Sequence, residues 1–334
     1  MAVTIKDIAK VCNISYSTVS RVLNGKNVRK TEQNDRIIAT AKALGYKPNT
    51  LAVQLVKQSS NMLGLMIPDI ANPHYSEVTK CVEDAALMAG YRVFLCNTDW
   101  DVRKEVLYRD SLLESRVAGI VIMPVCDESH VIFRGLDIPV VLLGSRTLEQ
   151  DLHFVVMDNE RAAYMAAEHF IRAGRRHLCY IARNVANHTS EDRTKGFLRA
   201  AEEYGLPAKN VRVVPNDGFG FGGARRVTKR LLEEKEPPDA ILAFNDFIAI
   251  GAMQSVEEKG LTVGKDISVI GVDDILFSSL PKIDLTTITP SNKELGRTAL
   301  SMVMARRDGM HLARHAVLEP HMIIRGSCGR VEQE

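Results

Sequence analysis

The 334-residue chain has no apolar run approaching the ~20 residues that a membrane-spanning helix needs. Its start, MAVTIKDIAKV, carries charge where a signal peptide needs an apolar core, so no membrane partner and a cytoplasmic (bacterial) location are expected. The six cysteines (Cys12, Cys81, Cys96, Cys126, Cys179, Cys328) are scattered singly, with no C-x-x-C pair. They read as buried reduced thiols, not as a disulfide frame or zinc site. There is no G-x-S-x-G elbow, no phosphate-loop lysine motif and no metal-spaced His/Cys cluster, so neither cofactor nor metal is expected. Acidic residues are scarce in one region. Residues 1–60 hold ten Lys or Arg against three acids, a net of +7, while the rest of the chain nets −5. A basic head on a mildly acidic body points to a polyanion met by the head alone.

The head reads as three short helices. Thr4 with Asp7 fits a capping box, with Ile5, Ile8, Ala9 and Cys12 inward. Ser15 caps a second helix that stops at Asn24-Gly25 and buries Val19, Val22 and Leu23. Thr31 caps a third, with Ile37, Ile38, Ala41 and Leu44 inward, ending at Gly45. Two short helices joined by a tight turn, the second opening on a polar face, form a helix-turn-helix. NISYSTVSRVLNG puts Ser15, Tyr16, Ser17, Thr18, Ser20 and Arg21 around that second helix. Such a helix reads base edges in the DNA major groove: hydroxyls bond phosphates or bases, and an Arg grips guanine. Lys47-Pro48 breaks the third helix. Asn49 or Thr50 then caps a short stretch with Leu51, Ala52, Leu55 and Val56 apolar, too short to be stable without a partner.

From Met62 the pattern changes to apolar strands alternating with amphipathic helices. Ten strands are predicted, at 63–67, 91–95, 119–123, 139–143, 154–157, 178–182, 211–214, 240–244, 268–272 and 285–288. Helices are predicted between most of them, at 75–89, 103–115, 160–173, 191–204, 224–235, 247–259 and 292–306. This is an α/β chain: a small all-α helix-turn-helix head and a bilobal core of two doubly wound parallel sheets. Ligands of such sheets sit beyond the carboxyl ends of the strands, so PDIANPHY (68–75), GSR (144–146), FNDF (244–247) and GVDD (271–274) should converge on one or two clefts.

Together these segments resemble the lactose repressor family of bacterial transcription factors. VTIKDIAKVCNISYSTVSRVLNG resembles its helix-turn-helix and GYKPNTLAVQL its hinge helix. IPDIANPHYSEV, DNERAAYMAAEHFI, RTKGFLRA, AFNDFIAIGAM, DISVIGVDDI, LTTITPS and IIRGS follow in the family's order. Departures include Val53, where the family often has arginine after Ala52, and the variable positions His74 and Ala182. The resemblance implies a periplasmic-binding-protein-like core and a division into 1–47 (head), 48–61 (hinge), 62–159 plus 289–318 (first lobe) and 160–288 plus 319–334 (second lobe). It implies a homodimer or tetramer that binds operator double-stranded DNA, with an affinity changed by a small molecule. A sugar or sugar derivative is the expected effector, with a purine or a phosphocarrier corepressor as alternatives. By motif, Tyr16, Ser17 and Arg21 read the groove, and Thr18, Ser20 and Asn24 hold phosphates. Ala52 and Leu55 belong to the hinge, where Leu55 wedges into the minor groove or packs helix against helix. Arg193 and Asp273 grip the effector, with His74, Tyr75, Phe219, Phe221, Asn245 and Asp246 along the walls.

One motif competes. GFGFGG has Gly218, Gly220 and Gly223 at G-x-G-x-x-G spacing, after a strand and before a helix, and Asp246 stands where a ribose-binding acid could. This would suit an NAD-dependent oxidoreductase. A basic helix-turn-helix has no use in such an enzyme, and no catalytic constellation accompanies the loop.

Overall fold

Thr4 opens the first helix through its backbone N–H and hydroxyl, both bonded to the Asp7 carboxylate at 2.8 and 2.7 Å. The computed structural model describes residues 3–24, 31–46, 60–184, 187–218, 220–310 and 313–329. It divides into two units, Met1–Ser60 and Asn61–Glu334.

In the first unit, α1 (Ile5–Cys12), α2 (Tyr16–Asn24) and α3 (Glu32–Ala43) start at the predicted caps. The Ser15 hydroxyl accepts from Thr18 N at 3.2 Å, and that of Thr31 from Asn34 N at 3.3 Å. Asn13 turns the chain between α1 and α2 at φ 56°, a left-handed position that asparagine tolerates. Ile8, Cys12, Val19, Val22, Ile37 and Ala41 form the buried core. Ile38 and Leu44 are not part of it: they are 48% and 38% exposed. Ile37 and Ala41 stand four apart on one stripe, and Ile38 is a step of about 100° around the helix from Ile37.

The second unit holds two six-stranded sheets. The first contains β1 (Met62–Ile67), β2 (Arg92–Asn97), β3 (Ile120–Ile122), β4 (Val140–Leu143), β5 (His153–Met157) and β11 (His315–Leu318). Their order is β11-β5-β4-β3-β1-β2, all parallel. The second contains β6 (Leu178–Ala182), β7 (Val211–Pro215), β8 (Ala240–Ala243), β9 (Ser268–Val272), β10 (Thr286–Thr289) and β12 (His321–Ile323). Its order is β12-β10-β9-β8-β6-β7, parallel except for β12. Helices α4 (Pro73–Met88), α5 (Val102–Glu114), α6 (His130–Phe133) and α11 (Asn292–Arg307) pack with the first sheet. Helices α7 (Asn159–Arg172), α8 (His188–Glu203), α9 (Phe221–Leu231) and α10 (Asp246–Glu258) pack with the second.

Strand residues alternate between two apolar layers. Leu63, Leu65 and Ile67 face α4 and α11, and Met66 faces the layer that holds Leu112 and Phe133. Two strands escaped the sequence reading. Both β11 and β12 are three- or four-residue edge strands with little buried surface, so they lack the apolar run that marks a central strand. The chain crosses between sheets three times, after β5, after β10 and after β11.

Candidate functional site

The loops leaving the carboxyl ends of the strands meet between the two sheets. Asn72 caps α4 by accepting from His74 N at 3.1 Å, and Pro73 starts the helix, which brings His74 and Tyr75 into its first turn. Asp273 follows β9 at φ 117°, a conformation that favours glycine, and its N–H is held by Ile288 O at 2.9 Å. A strained residue held in place by the sheet beside it marks a candidate functional position. His74, Tyr75 and Asn72 from one lobe, with Arg183, Arg193, Phe244, Asn245 and Asp273 from the other, line a cavity of about 110 Å³. A second cavity of about 130 Å³ adjoins it. They share Asn72, Tyr75, Arg183, Phe244 and Asn245, and the second adds Trp100, Asn216 and Phe247.

Arg193 is buried and firmly held. Its Nε donates to Asn159 Oδ1 at 2.9 Å, its Nη1 donates to the Phe244 carbonyl, and the guanidinium lies 4.6 Å from the Phe244 ring centre. Burial pushes the Asp273 carboxyl up to about 7, against the opposing pull of Arg193, and Glu77 pushes it further up. Burial and then Arg193 push His74 down to about 4. His74 Nδ1 lies 3.8 Å from Asp273 Oδ1. At neutral pH the imidazole is uncharged, so this is a close polar contact and not an ion pair. Among the described residues Nδ1 is buried without a hydrogen-bond partner. Tyr75 stacks edge-on between His74 and Trp100, and burial raises its phenol pKa.

Direct contacts tie the lobes together around the cavities. The His188 N–H donates to Asp127 Oδ2 at 2.7 Å and the Thr189 hydroxyl to Gly144 O at 3.0 Å. Arg146 pairs with Asp192 at 3.0 Å, and Leu276 N–H donates to Glu77 Oε1 at 2.8 Å. These contacts close the lobes over the shared walls.

Several predicted residues lie elsewhere. Asp246 lines neither cavity. It is fully buried: Oδ2 accepts from Ile275 N at 3.0 Å and the Ser278 hydroxyl at 2.6 Å, and Oδ1 accepts from Thr287. It fastens α10 to the loop after β9, because the first turn of the helix aims it into the protein. The oxidoreductase reading thereby loses its ribose-binding acid. The glycine loop contributes Gly218 and Gly220 to the second cavity. Phe221 also lines neither cavity and packs at 6.1 Å on Phe247, which does. Asn245 lines both cavities while its side chain caps α10, accepting from Ile248 N at 2.9 Å. Phe219, Ala52, Leu55 and the Asn24 side chain lie outside the described residues. The sequence reading missed Asn72, Trp100, Asp127 and Arg183. Trp100, the single tryptophan of the chain, was a signal open to it.

Burial, followed by the neighbouring Asp273, pushes the Asp246 carboxyl up to about 8. In the unfolded chain it titrates near 3.8. Between these values the folded state holds the extra proton, so stability falls as pH rises from about 4 to 8. Asp273, also raised, adds a slope of the same sign up to about 7. Asp246→Asn is therefore expected to flatten the decline of Tm with pH and to raise Tm at pH 8 relative to the parent. Parallel Tm profiles for the two proteins would assign the titration to other groups.

In the head, Tyr16, Ser17 and Arg21 are exposed, with Ser17 and Arg21 one turn apart on the same stripe. Thr18 and Ser20 are half-buried. The Ser15 hydroxyl also bonds those of Ser17 and Thr18 at 3.0 and 2.8 Å, so part of the hydroxyl cluster serves the helix start. Among the described residues no helix is long and apolar enough to cross a membrane.

Residues 4–49 match the family described as bacterial regulatory proteins, lacI family, and residues 167–328 match the periplasmic binding protein-like domain. Catabolite control protein A of Priestia megaterium is 30% identical over 97% of this chain and 98% of its own. The ribose operon repressor of Halalkalibacterium halodurans is 33% identical over 90% of this chain and 89% of its own. Among solved structures, the lac repressor dimer bound to operator and an anti-inducer superposes with a TM-score of 0.85 at 25% identity, covering 98% of this chain and 99% of that one.

Proposed function

Because this chain belongs to the lacI family of bacterial regulatory proteins and is a DNA-binding transcriptional regulator, we propose that it is a cytoplasmic repressor, dimeric on operator DNA, whose operator affinity is set by a sugar-like effector between the core lobes. The observation that carries the effector reading is the pair of adjoining cavities walled by both lobes. A ligand touching His74 and Asp273 favours one angle between the lobes. A cavity of roughly 150 Å³ holds a benzene, so these spaces suit a small molecule and not a peptide. Their walls mix aromatic faces with carboxylate, amide and guanidinium groups, which matches a hydroxyl-rich ring. A relative named as a ribose operon repressor supports a sugar. In this reading residues 1–47 bind DNA, 48–61 form the hinge, 62–159 plus 289–318 the first lobe and 160–288 plus 319–334 the second. Leu55 and its neighbours then connect lobe angle to head spacing.

The test is to select bound duplexes from a random pool and titrate the recovered site with and without candidate sugars. A two-fold-related site whose affinity changes roughly 5- to 150-fold with one sugar is the expected result. An affinity indifferent to every small molecule would refute the effector reading. Arg21→Ala is expected to lower affinity for the selected site by about 1–3 kcal/mol while affinity for random DNA changes little, because a bidentate grip on guanine carries sequence information. Equal losses on both DNAs would assign Arg21 to a phosphate.

A further inference from the structure

Arg183 differs from the other arginines around the cavities. Arg193 is satisfied by Asn159 and Phe244, and Arg146 by Asp192. Arg183 follows β6, is half-buried and lines both cavities. Its guanidinium lies 4.5 Å over the ring of Trp100, which belongs to the opposite lobe. Among the described residues it donates to no acceptor and pairs with no carboxylate. The carboxylate that acts on it through space is Asp127, which already accepts from His188 N and Ser145 Oγ at 2.7 and 3.3 Å. A stacked guanidinium keeps its edge N–H groups free, and a partly desolvated cation without an acceptor is costly. The planar fork fits a carboxylate or phosphate in two parallel hydrogen bonds.

A second observation comes from the same space. Among the described residues His74 Nδ1 has no hydrogen-bond partner, and neither has Oδ1 of Asn216, a residue that lines the adjoining cavity. A ring nitrogen and an amide oxygen left unsatisfied suit hydroxyl groups, which both donate and accept. The cleft thus offers polar atoms for hydroxyls and one uncommitted cation.

We propose that the effector is a small anionic polyol, a sugar carrying a carboxylate or a phosphate, and that Arg183 holds its anionic group. This rests on the reading of the cleft as the effector site and narrows its ligand class. Asp69 and Asp127 also line the cavities, and the raised Asp273 carboxyl lessens the negative charge that an anionic ligand would meet beside Arg183 and Arg193.

The experiment is calorimetric titration of the full chain with matched sets: aldoses such as glucose, ribose, galactose and xylose, their aldonates and their terminal phosphates, with hypoxanthine alongside. The expected result is one aldonate or sugar phosphate binding at least about tenfold tighter than its parent aldose, with a preference that shrinks as salt is raised. The aldonate and phosphate arms identify the anionic group. Arg183→Gln is expected to remove the preference, weakening the anionic ligand at least about tenfold more than the neutral aldose. Equal weakening of both ligands in Arg183→Gln would make Arg183 a latch onto Trp100 and overturn the proposal. A neutral aldose that binds as tightly as its acid and its phosphate would overturn it too, leaving the sugar reading intact. Binding of hypoxanthine and of no sugar in any form would remove both. Should Arg183→Gln fail to fold, the matched comparison in the parent protein still decides.

Discussion

Gly196→Ala is expected to destabilise the core by about 3 kcal/mol or more, near the upper end of what overpacking costs. Gly196 lies in α8 where it crosses α7, and a Cβ there would stand 1.9 Å from the Glu160 carbonyl oxygen. That atom is backbone inside a helix, so no rotamer change relieves the clash and the two helices must separate. Their contact buries Ala162, Ala163, Ala166, Phe197 and Ala200 in one apolar layer, so separation opens the layer on one face of the second sheet. Gly222→Ala in α9 is the control: the nearest atom to its Cβ would be Arg226 Nη1 at 3.8 Å. Alanine there is expected to be neutral or to stabilise by a few tenths of a kcal/mol to about 1. Chemical denaturation of both variants measures this. A Gly196→Ala protein as stable as the Gly222→Ala protein would show that α7 and α8 do not need their close approach.

Asp273→Ala is expected to abolish the response to effector while operator binding persists. The carboxylate sits opposite Arg193 and beside His74, and truncating one member of a buried charged set costs roughly 2 kcal/mol or more, about 30-fold in affinity. It lies in the core unit, whereas the residues proposed to contact DNA lie in the head. Coupling between sites is reciprocal, so the same variant should lose the effect of operator on effector affinity. The measurement is an operator titration of parent and variant with and without the effector. A variant that responds at the parent's effector concentration would remove Asp273 from the site. A folded variant that no longer binds operator would make Asp273 part of the lobe junction.

The caps of the three head helices were legible because a cap is a local event. Thr4, Ser15 and Thr31 each bond a group three residues on, and no distant residue takes part. Ile38 was misplaced for the opposite reason. Two adjacent isoleucines both fit an apolar stripe, and only the neighbouring helices choose between them. The central strands were legible because each is buried on both faces and most are apolar throughout, β10 with its three threonines being the clearest exception. The edge strands β11 and β12 were not, because they combine little burial with only four and three residues, whereas the equally exposed edge strands β2 and β7, at six and five residues, are long enough to be read.

The cleft divides along the same line. PDIANPHY, GSR, FNDF and GVDD could be placed at strand ends from their order, and their residues do converge. Which side chains of FNDF reach the cavity could not be read. Asn245 does and Asp246 does not, since one residue of helical turn carries Asp246 towards Ser278 and Thr287.

What the sequence by itself determined is the part governed by short range and by period: a basic three-helix head, an alternating α/β core, and the family resemblance carried by ordered motifs. Only the tertiary structure decided the rest. It placed Arg183 over Trp100, 83 positions away in the chain, and left His74 Nδ1 without a hydrogen-bond partner among the described residues. It also turned one of two neighbouring carboxylate candidates into a buried fastening. Periodicity reports which face of an element is apolar. The identity of a polar group's partner depends on how two sheets and their loops meet, and that is set by packing summed over the whole chain.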